Sequence, residues 1–236
     1  MTSASYQRFQ QFVVENNIRI VDLKTVDPTG GLRHVSLPVE SFDEEVMEQG
    51  VGFDGSSYGF RKVEASDMLL KPDLAAFYLD PFREVPTVSL NAWVCLAQDG
   101  LPPSDQDPRT LLLRAVDRVR SLGIADELLV APEYEFYVFR DLTQVDEATE
   151  TRAKVHGDEN YEFNAYHMIN PYDRMADFRD RATALLIDLG VPIKYHHHET
   201  GGHGQQEIEC NPSPAAGIGD QAMLCKYVLH NLAARE

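Results

Sequence analysis

Four glutamates occur in two pairs whose spacing is typical of metal ligands. Glu133 and Glu135 lie in Ala-Pro-Glu-Tyr-Glu-Phe-Tyr-Val-Phe, and Glu199 and Glu207 flank a glycine-rich segment. Side chains alternate along an extended strand, so Glu133 and Glu135 share one face of their strand. Each pair therefore concentrates negative charge in one place, where a cation is a suitable partner.

The strand that carries Glu133 and Glu135 is expected to be buried. Tyr137 and Phe139 continue its carboxylate face with aromatic side chains, which predicts a strand covered on both sides. A buried carboxylate takes up a proton, pairs with a base or binds a cation, and residues 128–139 contain no Lys or Arg. Taken alone, the Glu-x-Glu pattern is more typical of solvated glutamates on an exposed edge.

The second pair favours the metal site over the exposed edge. Residues 191–199 and 206–211 predict two strands, and the linker at 201–204 contains three glycines. Such a linker turns tightly, so we expect a hairpin that brings Glu199 and Glu207 together. Oxygen ligands of this kind suit hard cations such as Mg²⁺ or Mn²⁺.

Composition excludes several classes of protein. A chain of 236 residues with 43% hydrophobic residues is long enough for one large or two ordinary domains. The net charge of -17 argues against a nucleic-acid partner and favours bound cations. No apolar run approaches the ~20 residues of a membrane helix, and no signal peptide is evident, so we expect a cytoplasmic protein without membrane contact. The three cysteines match neither a disulfide framework nor a zinc motif, which predicts buried thiols.

The amino-terminal part of the chain predicts a small α+β unit in which a helix packs on a sheet. The expected helices are 3–15 and 40–48, and the expected strands are 18–23, 32–39, 68–70, 76–79 and 87–96. Residues 51–60 are rich in Gly and Ser, which predicts a loop. The polar, turn-rich segment 97–108 predicts a domain boundary.

The second part predicts strands around the glutamate pairs, with helices between them. The expected helices are 109–122, 175–189 and 219–235. The charged, poorly periodic segment 141–161 predicts a surface loop.

Several ordered motifs resemble type I glutamine synthetase. They are Phe53-Asp-Gly-Ser-Ser57, Glu64-Ala-Ser-Asp-Met68, Pro72-Asp73, Pro132-Glu-Tyr-Glu-Phe136 and the segment from His197-His-Glu199 to Gly204-Gln-Gln-Glu207. The resemblance runs almost end to end. It implies an α+β fold with a small β-grasp-like amino-terminal domain at 1–104. Part of an antiparallel-sheet catalytic domain with flanking helices is then expected at 105–236.

The resemblance also implies an activity and an assembly. The family joins ammonia to glutamate, using ATP as co-substrate and Mg²⁺ or Mn²⁺ as cofactor, through an enzyme-bound γ-glutamyl phosphate. It assembles into dodecamers of stacked hexameric rings, whose active sites lie between neighbouring subunits. The expected partners are therefore glutamate, ammonia, ATP and further copies of the same chain.

The resemblance gives each glutamate of the two pairs a separate role. Glu135, Glu199 and Glu207 match the ligands of the first divalent ion. Glu133 matches one ligand of the second ion, which lies on the nucleotide phosphates. Two metal ions suit phosphoryl transfer, which depends on positioning and on neutralising charge.

Two aspartates match acidic positions near the ammonium site of the family. Asp54 matches the aspartate that a neighbouring subunit donates to bind ammonium and help deprotonate it, and Asp67 matches a second acidic position nearby. From the residues alone, Asp54 has another interpretation. Asp-Gly is a common turn dipeptide, and Ser56 and Ser57 could simply bond their own backbone.

The three consecutive histidines suggest a zinc site, but their spacing argues against one. Consecutive strand residues point to opposite faces, so at most His196 and His198 could share a metal. We expect neutral, hydrogen-bonded histidines with structural roles. His203, in the glycine-rich turn, is left out of the ligand set.

A full type I subunit is roughly twice as long as this chain. Its other half carries the histidine and glutamate that complete the second metal site, and the arginines that hold glutamate and phosphate. The sequence therefore predicts a chain that binds one divalent ion but does not turn over, either a fragment of a longer synthetase or a natural short paralogue. The alternatives are a γ-glutamyl ligase for a larger amine and a non-catalytic homologue that tunes synthetase rings.

Overall fold

The structure, a computed structural model, describes residues 4–146, 150–155, 165–201 and 204–235. The chain divides into two units, Met1–Glu127 and Leu128–Glu236. The domain limits expected from the sequence, 1–104 and 105–236, stay a prediction. Within the described ranges, no helix combines the length and the apolar character needed to cross a membrane.

The first unit is a mixed sheet with a helix packed on it. Its elements are α1 (Ala4–Glu15), β1 (Ile20–Val26), β2 (Leu32–Pro38), α2 (Glu44–Gln49), β3 (Val51–Asp54), β4 (Asp67–Leu79), β5 (Thr87–Leu96) and α3 (Pro108–Ser121). The strand order is β2-β1-β5-β4-β3, with β1 and β5 parallel and the other neighbours antiparallel. The α+β class expected from the sequence is confirmed.

Helix α1 supplies aromatic side chains to the core of this unit. Phe9 is buried and meets Phe77 of β4 edge to face, with ring centroids 5.4 Å apart. Leu23, Leu70 and Leu90 contribute buried side chains from β1, β4 and β5. Each fully buried side chain of this size contributes about 1.5–3 kcal/mol. The amphipathic pattern of the first helix therefore fixes it on the sheet.

Two predictions for the first unit are wrong in detail. Residues 51–54, expected in a loop, form β3 and pair with β4, so that Asp54 lies opposite Asp67. The glycine content is typical of a loop, but pairing with a distant strand overrides local preference. The strands expected at 68–70 and 76–79 form one longer strand whose pairing is irregular between Pro72 and Phe77.

The turn between β1 and β2 is held by one carboxylate. Oδ1 of Asp27 accepts hydrogen bonds from Thr29 N, Thr29 Oγ1 and Gly31 N at 2.7 to 2.9 Å. Oδ2 of the same residue accepts from Nε of Arg33 at 2.8 Å. The Thr29 hydroxyl bond is the largest cause that lowers the pKa of Asp27, although burial opposes it. The folded state therefore favours the ionised carboxylate.

We expect Asp27→Asn to lower the free energy of unfolding at pH 7 by about 2 kcal/mol, because the bonds lose their charged acceptor. The carboxylate contributes stability above its unfolded pKa and loses it as pH falls through the lower folded pKa. The difference between the wild type and the variant should therefore shrink below about pH 4 in urea unfolding. A difference that stays constant from pH 7 to pH 2 would contradict this assignment.

The second unit carries the strands of the two glutamate pairs. Its elements are β6 (Leu129–Val130), β7 (Glu133–Phe136), β8 (Phe139–Asp146), β9 (Glu150–Val155), α4 (Ala176–Asp188), β10 (Ile193–His198), β11 (Gln206–Cys210), β12 (Ser213–Pro214) and α5 (Ala215–Ala233). An antiparallel sheet has the order β10-β11-β7, and β12 pairs with β6. Helix α4 packs against β10, β11 and α5.

The surface loop expected at 141–161 is wrong for much of its length. Strands β8 and β9 form an antiparallel pair there. The sequence places Thr143 and Val145, and then Thr151 and Val155, at alternating positions, a strand pattern hidden among charged residues. Residues 147–149 and 156–161 of the predicted loop lie outside the described residues.

The cysteines agree with the sequence analysis. Cys95, Cys210 and Cys225 are buried free thiols.

Candidate metal centre

Strands β10, β11 and β7 place potential metal ligands in a row across one face of their sheet. His197 lies opposite Glu207, which lies opposite Glu135 on its other side. The predicted hairpin does bring Glu199 and Glu207 together. Ligand atoms of His197, Glu199 and Glu207 all lie within 4.8 Å of one another. A nitrogen and carboxylate oxygens at this spacing suit a divalent cation.

The imidazole of His197 is oriented as a metal ligand would be. Its Nδ1 lies 3.2 Å from the backbone carbonyl of His198. A carbonyl only accepts, so Nδ1 carries a proton, and in the neutral imidazole Nε2 then presents a lone pair. Metal-bound histidines commonly have their other ring nitrogen held in this way.

Two buried polar atoms of this group lack hydrogen-bond partners among the described residues. They are Nε2 of His197 and Oε2 of Glu199. Nε2 of His197 lies 3.6 Å from Oε2 of Glu207, and its Nδ1 lies 3.6 Å from Oε2 of Glu199, both longer than a hydrogen bond. Buried polar atoms are normally paired. The donor set therefore fits a bound cation.

Burial and a neighbouring carboxylate disfavour the ionised form of Glu207. Burial raises the pKa of Glu207 to about 7, with Glu199 adding to the rise and His197 opposing it. Burial thus favours the protonated form of the Glu207 carboxyl group. A divalent cation in the same place would replace that proton.

Glu135 borders the group but does not belong to it. Its Oε2 accepts a hydrogen bond from Nε2 of Gln205 at 2.6 Å, and Oε1 of Gln205 accepts from the backbone N of Gly201 at 2.8 Å. A Cβ at Gly201 would collide with the end of the Gln205 side chain, so a larger residue there would displace that side chain. The expected ligand set of Glu135, Glu199 and Glu207 stays a prediction.

A second row lies beside the first on the same face. Tyr195 lies opposite Glu209, and Glu209 lies opposite Glu133. Glu209 is buried and pairs with Lys194, whose Nζ is 3.0 Å from its Oε2. Glu133 is exposed, as is Glu135, so the expectation that β7 is covered on both sides is wrong for its carboxylate face.

Sequence reasoning missed two residues of this face. Glu209 repeats, two residues after Glu207, the Glu-x-Glu pattern that had singled out Glu133 and Glu135. His197 shares its strand face with Glu199, because the two are separated by one residue. The alternation rule that set His196 and His198 together therefore also selected His197 as the histidine on the carboxylate face.

A cavity of about 300 Å³ lies between β7 and α5, next to the carboxylates of β7. Glu133 and Glu135 contribute to its wall together with Phe136, Lys226 and Leu229. A concave, largely apolar wall with a few charged groups is typical of a small-molecule site.

Comparison with known proteins assigns both parts of the chain to one family. Residues 17–96 match the family described as "Glutamine synthetase, beta-Grasp domain", and residues 105–236 match "Glutamine synthetase, catalytic domain". This chain belongs to the glutamine synthetase family. The resemblance seen in the sequence and the β-grasp-like amino-terminal fold are thereby confirmed.

The relatives of this glutamine synthetase family member carry different names. A 3-hydroxylaminophenol mutase of Cupriavidus pinatubonensis is 36% identical over 94% of this chain and 51% of its own length. A glutamine synthetase of Vibrio cholerae is 31% identical over 97% of this chain and 52% of its own length. The chain thus spans about half the length of these curated relatives.

A solved structure supports the fold of the glutamine synthetase family. A cryo-EM glutamine synthetase of Plasmodium falciparum aligns with a TM-score of 0.85 and 21% identity, covering 99% of this chain and 49% of that chain. At this identity the likeness shows the fold alone.

The two predicted catalytic aspartates lie together in the first unit of this glutamine synthetase family member. Asp54 and Asp67 are register partners at the end of β3 and are both exposed. Oδ1 of Asp54 accepts hydrogen bonds from Ser56 N and Oγ, and its Oδ2 accepts from Ser57 Oγ, at 2.7 to 2.9 Å. The Ser56 hydroxyl is the main cause that lowers the pKa of Asp54. Such a carboxylate suits the holding of a cation better than the acceptance of a proton.

A buried arginine supports the strands of the candidate metal site from the opposite face of the sheet. His196 and Gln206 have the opposite parity to the candidate ligands, so they face the other side of the sheet. Nε of Arg179, from α4, donates to Nδ1 of His196 at 3.3 Å, and Nη1 donates to Gln206 Oε1. Asp173 binds the same guanidinium through both carboxylate oxygens. Arg179 thus connects α4 to the residues that precede His197 and Glu207.

We expect Arg179→Met to lower the free energy of unfolding by about 3–5 kcal/mol, because it leaves Asp173 as a buried charge without its partner. The double variant Arg179→Met/Asp173→Asn should recover part of this loss. Arg181→Met, on an exposed position of the same helix, is the control and should cost at most about 1 kcal/mol. Equal losses for Arg179→Met and Arg181→Met in denaturant unfolding would contradict the role of Arg179.

Proposed function

We propose that this chain forms part of an ATP-dependent ligase that joins an amine, ammonia in the simplest case, to glutamate through γ-glutamyl phosphate. The observation that carries the proposal is the group formed by His197, Glu199 and Glu207. Membership of the glutamine synthetase family supports it. The amine displaces phosphate from the γ-carbonyl, so an amide bond forms as the acyl phosphate bond breaks.

Glu135, Glu199 and Glu207 are proposed to hold a first divalent cation, Mg²⁺ or Mn²⁺. Glu133 is proposed to contribute to a second cation at the phosphates of ATP. The chemistry that such cations supply is neutralisation of the charge on the transferred phosphoryl group. Within this chain, His197 adds a neutral nitrogen donor to the first site. The side chain of Gln205 holds Glu135 in place by donating a hydrogen bond to its carboxylate.

Asp54 is proposed to attract the ammonium ion that supplies the amine. Its carboxylate is kept ionised by the hydroxyls of Ser56 and Ser57. Asp67, its register partner, adds negative charge at the same place. By family resemblance this loop serves the active site of a neighbouring copy, so we propose a homo-oligomer, with stacked rings as the expected form.

A ligase for a larger amine is the second candidate. Exposed aromatic rings border the carboxylate cluster, and ammonia has no apolar surface to contact them. The name of one 36% identical relative, 3-hydroxylaminophenol mutase, concerns an aromatic nitrogen compound. Both features favour an organic amine as the acceptor.

We expect Mg²⁺ or Mn²⁺ to stabilise the 236-residue chain by about 1–3 kcal/mol at concentrations well above its dissociation constant, seen as a higher melting temperature. Glu199→Ala and Glu135→Ala should abolish the rise, because each removes a proposed ligand. Asp188→Ala, at the exposed end of α4, is the control and should leave the rise intact. If both glutamate variants keep the full metal-induced rise, the metal site is wrongly assigned.

We expect Asp54→Ala to damage the use of ammonia in a protein that carries this chain at the full length of its relatives. The KM for ammonium should rise about tenfold or more, while the KM for ATP changes little, because Asp54 is proposed to attract only the amine. Coupled measurement of ADP release and glutamine formation tests both constants. Ser41→Ala, outside the loop, is the control. Unchanged ammonium kinetics in Asp54→Ala would remove Asp54 from the site.

A further inference from the structure

Two of the three cysteines lie on the side of the second unit's sheet that the candidate metal centre does not use. Cys210 is the last residue of β11, and its side chain points away from the face that carries Glu207, because strand residues alternate. Cys225 lies on the buried stripe of α5. Both cysteines are free thiols and only 1% exposed.

The fold brings these two thiols into contact, although residues 211–224 separate them in the sequence. The side chains of Cys210 and Cys225 hydrogen-bond to each other. Tyr134 of β7 lies opposite Ile208, so its ring is on the same side of the sheet, and its hydroxyl lies beside Cys225. The third cysteine, Cys95, is buried in β5 of the first unit. The pair therefore has an exact internal reference.

The contact makes the two thiols chemically unequal. The hydrogen bond with Cys225 lowers the pKa of Cys210, although burial opposes this shift. The same hydrogen bond, together with burial, raises the pKa of Cys225. Because the thiolate is the nucleophile of thiol–disulfide exchange, Cys210 is the thiol that attacks first. Cys225 is then the thiol that completes a disulfide.

A buried cysteine commonly serves only as a small apolar side chain, as Cys95 does. The pair differs because each thiol has a second thiol in contact with it, and because a cavity lies next to it. The wall of the cavity of about 300 Å³ between β7 and α5 includes Tyr134, which contacts Cys225, and Lys226, which follows Cys225 in α5. This cavity gives a small oxidant a place beside the pair.

We propose that Cys210 and Cys225 form a redox-modification site, at which a small-molecule disulfide such as glutathione disulfide oxidises them to a disulfide that joins β11 to α5. The Cys210 thiolate attacks one sulfur of the oxidant, which forms a mixed disulfide and releases one glutathione thiolate. The Cys225 thiolate then attacks the Cys210 sulfur and releases the second glutathione thiolate. The two thiol protons pass to these thiolates, and the two electrons lost by the cysteines reduce the oxidant.

The disulfide would close a loop that contains β12 and the first part of α5. Closing such a loop restricts the unfolded chain, so the link favours the folded state. The same thermodynamic cycle requires the folded chain to form the disulfide more readily than the unfolded chain does. A preassembled pair therefore differs measurably from two cysteines that meet only when the chain unfolds.

Equilibration of the 236-residue chain in buffers of reduced and oxidised glutathione, with and without concentrated urea, tests the inference. After alkylation and digestion with trypsin, peptide 195–226 carries both cysteines, because no Lys or Arg lies between Lys194 and Lys226. We expect the oxidised peptide to escape alkylation at both positions. Half-oxidation of the folded chain should occur at a ratio of squared glutathione to glutathione disulfide about tenfold or more above that in urea. An equal or lower ratio for the folded chain would overturn the inference.

Cysteine variants locate the disulfide. Cys95→Ala removes a buried thiol outside the pair and is the matched control, so its peptide 195–226 should be oxidised like that of the wild type. Cys225→Ala should form no protein disulfide in the folded state. The peptide map of the wild type decides the question even if a variant does not fold. A wild-type disulfide that includes Cys95, or a glutathione adduct that persists on Cys210, would overturn the pair.

Discussion

Repulsion between carboxylates held close together on one sheet face is the constraint around which the second unit is organised. Charges taken out of water must be compensated, and the structure uses a different means for each. The pKa of the buried Glu207 is raised and the buried Glu209 pairs with Lys194, while the exposed Glu135 accepts a hydrogen bond from Gln205. Within the described part of the chain, Oε2 of Glu199 is buried without a hydrogen-bond partner. The negative charge that remains uncompensated therefore lies at Glu199, where a bound cation would compensate it.

Alternation along the strands lets one short sequence serve two purposes. His197 projects toward the carboxylates, while its neighbour His196 projects toward α4 and meets Arg179. Likewise Glu207 belongs to the cluster and Gln206 belongs to the support behind it. Because adjacent residues of one strand carry both roles, a shift of register by one residue would exchange the two faces. Because Arg179 holds His196 and Gln206 on one face of the sheet, it also keeps His197 and Glu207 on the other face.

Much of this arrangement was predictable, and the failures have physical causes. The strand at 87–96 and the helices near 109–122 and 175–189 were expected from local patterns and lie within a residue or two of those limits. The strands that were missed, β3 and the β8–β9 pair, depend on distant partners or hide among charged residues. Helix α5 starts earlier than expected, at Ala215, because Gly217 and Gly219 obscure its helical pattern.

The candidate site was predictable to a similar extent. The convergence of Glu199 and Glu207 was predicted from a glycine-rich turn, whereas His197 was missed, although strand alternation places it on the same face as Glu199. The hydrogen-bond partner of His196 could not be predicted, because the position of Arg179 depends on how α4 docks against the sheet. The aromatic rings around His197 could not be predicted either, since Tyr166 and His167 come from a separate segment of the chain.

Three hydrogen bonds of Gln205 connect the end of the turn between β10 and β11 to neighbouring residues. Gln205 is bound to Gly201 at one end and to Glu135 at the other, and its backbone oxygen accepts from the N of Glu199. An insertion or deletion within this turn would break all three links at once. Side chains around the turn other than that of Gln205 can therefore be exchanged with less effect on these links than a change in the length of the turn.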